Sequence, residues 1–261
     1  MPGHRSHDHH DQRWSRYLYR FHQEHPGITS GTLGTAYSAS LSPYDWALEP
    51  FGPRATRILD IACGDGPICA RAPFAEWAGF DISSTELALA RARGAKCLVR
   101  ADAADLPVAS ASTPALICCM ALMVVQPLAD VLAEVRRALT DDGTAVALVP
   151  GHRPLGLRDL FRYAETMALV RHHRLQYPND LALTRLETTS RRVGLMVVDD
   201  QRRRFELPLP DDEAARRFIE SLYLPGVPEQ RRARAAARAR RWVPGTIGIP
   251  LRRITFKPTT P

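Results

Sequence analysis

Apolar positions fall first in a helical rhythm and then in short blocks. Trp14, Tyr17, Leu18 and Phe21 recur at i, i+3, i+4 and i+7, one face of a helix, and Pro26-Gly27 stops it. Ser42-Pro43 opens a second helix, with serine at the cap and Asp45 three residues on. From Arg57 the pattern alternates. Strands are predicted at Arg57 to Ala62, Glu76 to Ile82, Lys96 to Ala101, within Pro114 to Val125, and at Thr144 to Val149 after an Asp142-Gly143 turn. Between them lie a helix opened by a Ser83/Glu86 capping box and one after Pro127 with Leu128, Val131, Leu132, Val135 and Ala138 on one face. Apolar strands alternating with helices imply a parallel sheet covered on both faces.

The second half is less regular. Helices are predicted at Leu157 to Val170, Asp180 to Val193, Asp211 to Leu224 and Pro228 to Val243. A sixth strand starts at Leu195 to Val198 and resumes after Arg204, and the last runs from Ile249 to Phe256. The helices ahead of the first strand must pack on something built later in the chain.

Within 261 residues, 45% hydrophobic and 24% charged, the composition is that of a globular chain with a full core. No apolar run reaches the roughly 18 residues of a membrane helix, and MPGHRSHDHH lacks the apolar stretch of a secretory signal. No membrane association is expected, and the expected location is the cytoplasm. The five cysteines, Cys63, Cys69, Cys97, Cys118 and Cys119, form no CxxC pair and are expected as reduced core thiols.

The net charge of +7 is concentrated late: residues 201–261 carry 14 Lys/Arg against 6 Asp/Glu. Arg231, Arg234, Arg238 and Arg241 share one helix face. Few aromatics interleave with them, so the stripe is expected as a solvated face and not as a nucleic-acid site. Four of the nine histidines, His4, His7, His9 and His10, sit in residues 1–11, expected as an unstructured tail. No carboxylate or cysteine set completes a metal geometry there, and no metal site is expected.

The chemistry gathers at the strand ends. Ile58 to Gly66 reads ILDIACGDG: a buried strand ends near Asp60, small residues follow, then a helix is predicted whose first N–H groups are free, and Gly64 and Gly66 let the backbone approach a ligand. The second strand ends in Asp81, where an acid accepts from the two hydroxyls of a ribose. The third ends in RADAADLP, and Asp102 can accept from an adenine amine. The spacing is not GxGxxG, which disfavours a nicotinamide cofactor.

These stretches, with GFDIS and ALTDDGTAVALVP, resemble class I S-adenosylmethionine-dependent methyltransferases. The resemblance runs from about Ala55 to Pro150, with the last two strands fitting the family's C-terminal hairpin. It implies an α/β, Rossmann-like seven-stranded fold, mostly parallel with an antiparallel last strand, over residues 55–261, behind a helical lid at 12–54. It also implies S-adenosylmethionine as cofactor. Asp60, Ala62, Gly64 and Gly66 would cradle its methionine part, Asp81 with Ile82 would hold the ribose, and Asp102 with Ala103 would flank the adenine. Met120 and Ala121 would offer backbone groups to the amino-acid end. Two departures stand out. Ala62 takes the place of the usual first glycine, and Pro67 and Pro73 shorten the first crossover.

The fourth strand ends in CCMALMVV in place of an Asn-Pro-Pro-Tyr stretch, which disfavours methylation of amide or base nitrogens. The expected reaction is methyl transfer to a small, partly apolar acceptor, in specialised, antibiotic-type metabolism. His152, just after the fifth strand, is the candidate base, with a solvent-facing loop histidine as the competing reading. Tyr17, Tyr19, His22, His25, Tyr37 and Tyr44 lie on the lid, where some could line the acceptor pocket and each alone reads as core or surface. A methyltransferase-fold enzyme catalysing an elimination or ring closure, with a partner protein or as a homodimer, stays open as the alternative.

Overall fold

The structure, a computed structural model, describes residues 4–52, 56–71 and 76–259; the side chains before Arg13 lie outside the described residues. Three helices come first: α1 (His4–Glu24), α2 (Ile28–Leu33) and α3 (Pro43–Leu48). Then follow β1 (Arg57–Ile61), β2 (Glu76–Asp81), α4 (Ser84–Ala92), β3 (Leu98–Arg100), β4 (Thr113–Cys119), α5 (Leu128–Ala138) and β5 (Leu139–Pro150). The rest is α6 (Leu157–Val170), α7 (Asp180–Thr184), α8 (Leu186–Arg192), β6 (Leu195–Leu209), α9 (Asp212–Glu220), α10 (Glu229–Ala239) and β7 (Gly245–Pro258).

The seven strands form one sheet in the order β3-β2-β1-β4-β5-β7-β6. The first five are parallel; β7 runs antiparallel to both β5 and β6. Strand residues alternate between two cores, as the period of 2 requires. Ile58, Ile117, Val146 and Leu148 face α2, α3, α6, α9 and α10. Leu59, Leu116, Ala145 and Ala147 face the other way, toward α1, α5, α7 and α8. This is the three-layer α/β arrangement that the sequence predicts. The order in which strands are added reverses between β1 and β4, which opens a crevice at their carboxyl ends.

Several boundaries differ from expectation. The helix predicted from Trp14 begins at His4, inside the segment expected as an unstructured tail. A short α2 follows the Pro26-Gly27 break. The helix predicted over Asp180 to Val193 is interrupted at Arg185, whose φ of −111° leaves the helical range. β6 is continuous through the polar run Asp199 to Arg204, with a bulge between Val197 and Asp199. As an edge strand, it needs apolar contacts on only part of its length. The Asp142-Gly143 turn is a bulge within β5. Cys97 is exposed, so it is not a core thiol; Cys63 and Cys118 are buried.

The helices ahead of β1 do pack on later elements. Trp46 of α3 is fully buried against Phe205. The Arg253 guanidinium lies 4.8 Å from the Trp46 ring and donates to its carbonyl oxygen. Tyr17 and Phe21 of α1 pack against Tyr223, just after α9.

Candidate functional site

The crevice is a cleft of about 1010 Å³ at the carboxyl ends of β1 to β4, closed on one side by α1. Its floor is Asp60, 1% exposed, with no well-formed hydrogen bond to either carboxyl oxygen among the described residues; the Trp77 indole N–H stands beside it. Burial, joined by the neighbouring Asp81 carboxylate, holds Asp60 well above the usual carboxylate range, and the Trp77 N–H works against that rise. A buried acid left without a partner is costly, and sites of this kind are where ligands bind.

The β1 loop turns over this acid. Ala62 and Gly64 have φ of 53° and 54°, a left-handed conformation in which alanine is strained and glycine is not. Open space lies over Gly64: a Cβ there would meet only the Glu86 carboxylate, 3.9 Å away. Asp81 holds the loop in place. Its Oδ2 accepts from the Gly64 N–H at 2.8 Å and its Oδ1 from the Ser83 N–H at 2.8 Å. Burial raises Asp81, and these two bonds work against that rise. Ile82 beside it is 60% exposed, a flat apolar surface on the cleft wall. Asp102 is exposed, and its Oδ1 accepts from the Ala104 N–H at 2.9 Å.

The structure thus brings Asp60, Ala62, Gly64, Asp81, Ile82, Asp102, Ala103, Met120 and Ala121 together on one cleft. Gly66 is not among the cleft-lining residues. With φ 78°, it turns the chain toward α4 and lines a separate hollow with Pro67 and Arg93. Between β1 and β2, the described residues after Gly66 form turns and no helix, so the helix predicted to follow the loop is not found there; Pro67 lacks the N–H that a first helical turn would offer.

A second cavity of about 370 Å³ adjoins the cleft. Its walls are mainly apolar, with Met123, Met167, Leu222 and Phe218 among them. Met120, Thr29 and Tyr223 line both cavities and mark where they meet. His152 lines this chamber and is exposed; it does not line the cleft. The chamber's outer helix, α6, is anchored through Asp159. This carboxylate accepts from the N–H groups of Gly156 (3.0 Å) and Gly248 (2.8 Å) and pairs with Arg204 at 2.7 Å. Burial alone would raise Asp159, but these partners hold it below the usual range.

Sequence reasoning missed Tyr223, which reaches the cleft from the turn after α9, and had His22 of α1 only as one of six lid residues that could line an acceptor pocket. It found Glu86 only as a helix cap. A third lid contact joins Ser30 and Arg93 to the buried Asp65.

No curated protein sequence matches the chain. Solved structures share its fold at low identity. The YcgJ protein of Bacillus subtilis superposes with a TM-score of 0.54 at 19% identity, over 84% of this chain and 99% of that one. The cyclase SpnF superposes with a TM-score of 0.52 at 19% identity, over 83% and 81%. A Haemonchus contortus phosphoethanolamine N-methyltransferase in complex with S-adenosylhomocysteine gives 0.51 at 17% identity, over 83% of this chain and 52% of that one. Residues 59–147 match the methyltransferase domain family, and the seven-stranded sheet around them has the class I methyltransferase fold.

Proposed function

We propose that the chain transfers the methyl group of S-adenosylmethionine to a small, largely apolar acceptor, in specialised metabolism. The observation that carries this reading is the buried Asp60 acid, without a well-formed hydrogen bond, on the same cleft as the open face of Gly64. S-adenosylmethionine is the cofactor that goes with the matched domain, and its cationic methionine end suits an acid waiting for a partner. When bound, the cofactor supplies an electrophilic methyl group; the protein supplies alignment and exclusion of water. Asp81 and Asp102 provide the acceptors for its hydroxyls and amine, and Ile82 a surface for its ring.

The acceptor would enter the apolar chamber and meet the methyl group near Met120, Thr29 and Tyr223. Mainly apolar walls favour a small molecule with apolar bulk. The test is incubation with methyl-labelled S-adenosylmethionine and candidate acceptors. Label in a product, with one S-adenosylhomocysteine formed per product, supports transfer. Product formed at full rate without cofactor rejects it in favour of an elimination or ring closure, the class to which the fold relative SpnF belongs by name.

A further inference from the structure

Three side chains from distant parts of the sequence line up where cleft and chamber meet. Both ring nitrogens of His22 are engaged: Nδ1 lies 2.7 Å from Glu86 Oε1, and Nε2 lies 3.0 Å from the Tyr223 hydroxyl. Glu86 is 3% exposed, and its two oxygens also accept the Gly27 N–H at 3.2 and 3.0 Å. A carboxylate so engaged only accepts, so the proton of the neutral ring sits on Nδ1. In that tautomer Nε2 carries a lone pair to which the Tyr223 hydroxyl can donate. Burial holds the Tyr223 phenol above its ordinary range, so it stands there as a neutral O–H. His22 and Glu86 line the cleft, whereas Tyr223 lines cleft and chamber alike.

Resting on the methyl-transfer reading, we propose that Tyr223, His22 and Glu86 form a proton relay for an acceptor that carries a neutral hydroxyl on an apolar frame, as phenols do. A hydroxyl must lose its proton to accept a methyl group, and a free anion would be costly in the apolar chamber. The acceptor O–H gives its proton to the Tyr223 oxygen as the Tyr223 proton passes to His22 Nε2. The freed oxygen pair forms the bond to the methyl carbon, and the pair of the bond that breaks stays on sulfur. His22 ends as imidazolium beside the Glu86 carboxylate and releases its proton to water after product departure. Tyr223 touches the acceptor and is the catalytic residue; His22 and Glu86 are positioning residues that act through it.

Nitrogen-15 NMR of the histidine rings in the full chain, alone and with S-adenosylhomocysteine, tests the relay. The His22 signals are identified by their loss in His22→Gln. Protonated Nδ1 with bare Nε2 is the state that the relay requires before transfer, and protonated Nε2 overturns the relay. Calorimetry of the same samples with 2-naphthol and 2-methylnaphthalene tests the acceptor class. The naphthol should bind about tenfold more tightly, as one hydrogen bond allows, and Tyr223→Phe should abolish that preference. No uptake of 2-naphthol, or no preference for it, overturns the acceptor class. Absence of S-adenosylhomocysteine affinity in the unmodified chain instead fails the methyl-transfer reading, whatever the tautomer of His22.

Discussion

The Gly64 N–H donates to Asp81 Oδ2 at 2.8 Å, tying the turn after β1 to the end of β2 before any ligand enters. One carboxylate thus shapes the loop and keeps further lone pairs turned toward the cleft. Asp81→Ala removes both contributions. Its affinity for S-adenosylmethionine should fall by about 1.5–3 kcal/mol, as for hydrogen bonds to a charged group. Calorimetry reads this directly, and equal affinity in the variant would refute the Asp81 assignment.

Asp60 and Asp159 pull stability in opposite directions with pH. Asp159 is held below the usual range, so its contribution is present above about pH 4 and is lost as pH falls through the folded value. Asp60 is held above the range, so the folded chain keeps a proton that the unfolded chain releases near pH 4. The Asp60 contribution is complete below that value and is lost as pH rises. Asp60→Asn should therefore stabilise the free chain at pH 8 by about 1–3 kcal/mol, the cost of a buried unpaired polar group. It should change little at pH 4 and should weaken cofactor binding. Urea unfolding of both proteins at the two pH values checks this; a variant less stable at pH 8 would contradict it.

Ala62 sits at φ 53°, where its Cβ is crowded. Ala62→Gly should relieve that strain and raise stability by about 0.5–1 kcal/mol, net of the added freedom of glycine in the unfolded chain. Cofactor affinity should stay within about twofold, because the loop conformation is the one glycine prefers. A thermal shift downward would show that the left-handed conformation of Ala62 is not strained.

The cleft was legible because its parts are local. Asp60, Gly64 and Asp81 each lie within a few residues of a strand end, and apolar strands announce their ends. The Tyr223–His22–Glu86 line was not legible. His22 and Glu86 are 64 residues apart, and His22 and Tyr223 are 201 apart, so only packing of α1 across the finished sheet brings them together. Of β6, only the two ends were legible. Its polar middle is held by pairing with β7, and the sequence Asp199 to Arg204 carries no alternation to reveal that. The arginine stripe is also less uniform than its sequence: Arg238 pairs with Glu165 of α6, while Arg234 and Arg241 are exposed.

His152 and Tyr223 can be separated by kinetics. Both line the chamber, but only Tyr223 also lines the cleft from which the methyl group would come. A base must stand within hydrogen-bond reach of the proton it takes, and that proton leaves the atom facing the methyl donor. Tyr223→Phe should therefore lower kcat by about 10²–10⁴-fold, the usual worth of a positioned proton acceptor, with cofactor affinity nearly unchanged. His152→Ala should act on acceptor binding, raising KM while leaving kcat within about threefold. The measurement is the rate of label transfer from methyl-labelled S-adenosylmethionine across acceptor concentration and pH. A kcat loss of about 10²–10⁴-fold in His152→Ala, with an intact rate in Tyr223→Phe, would instead make His152 the base. Unchanged rates in both variants would leave transfer to alignment alone, with an acceptor that reaches the chamber already deprotonated.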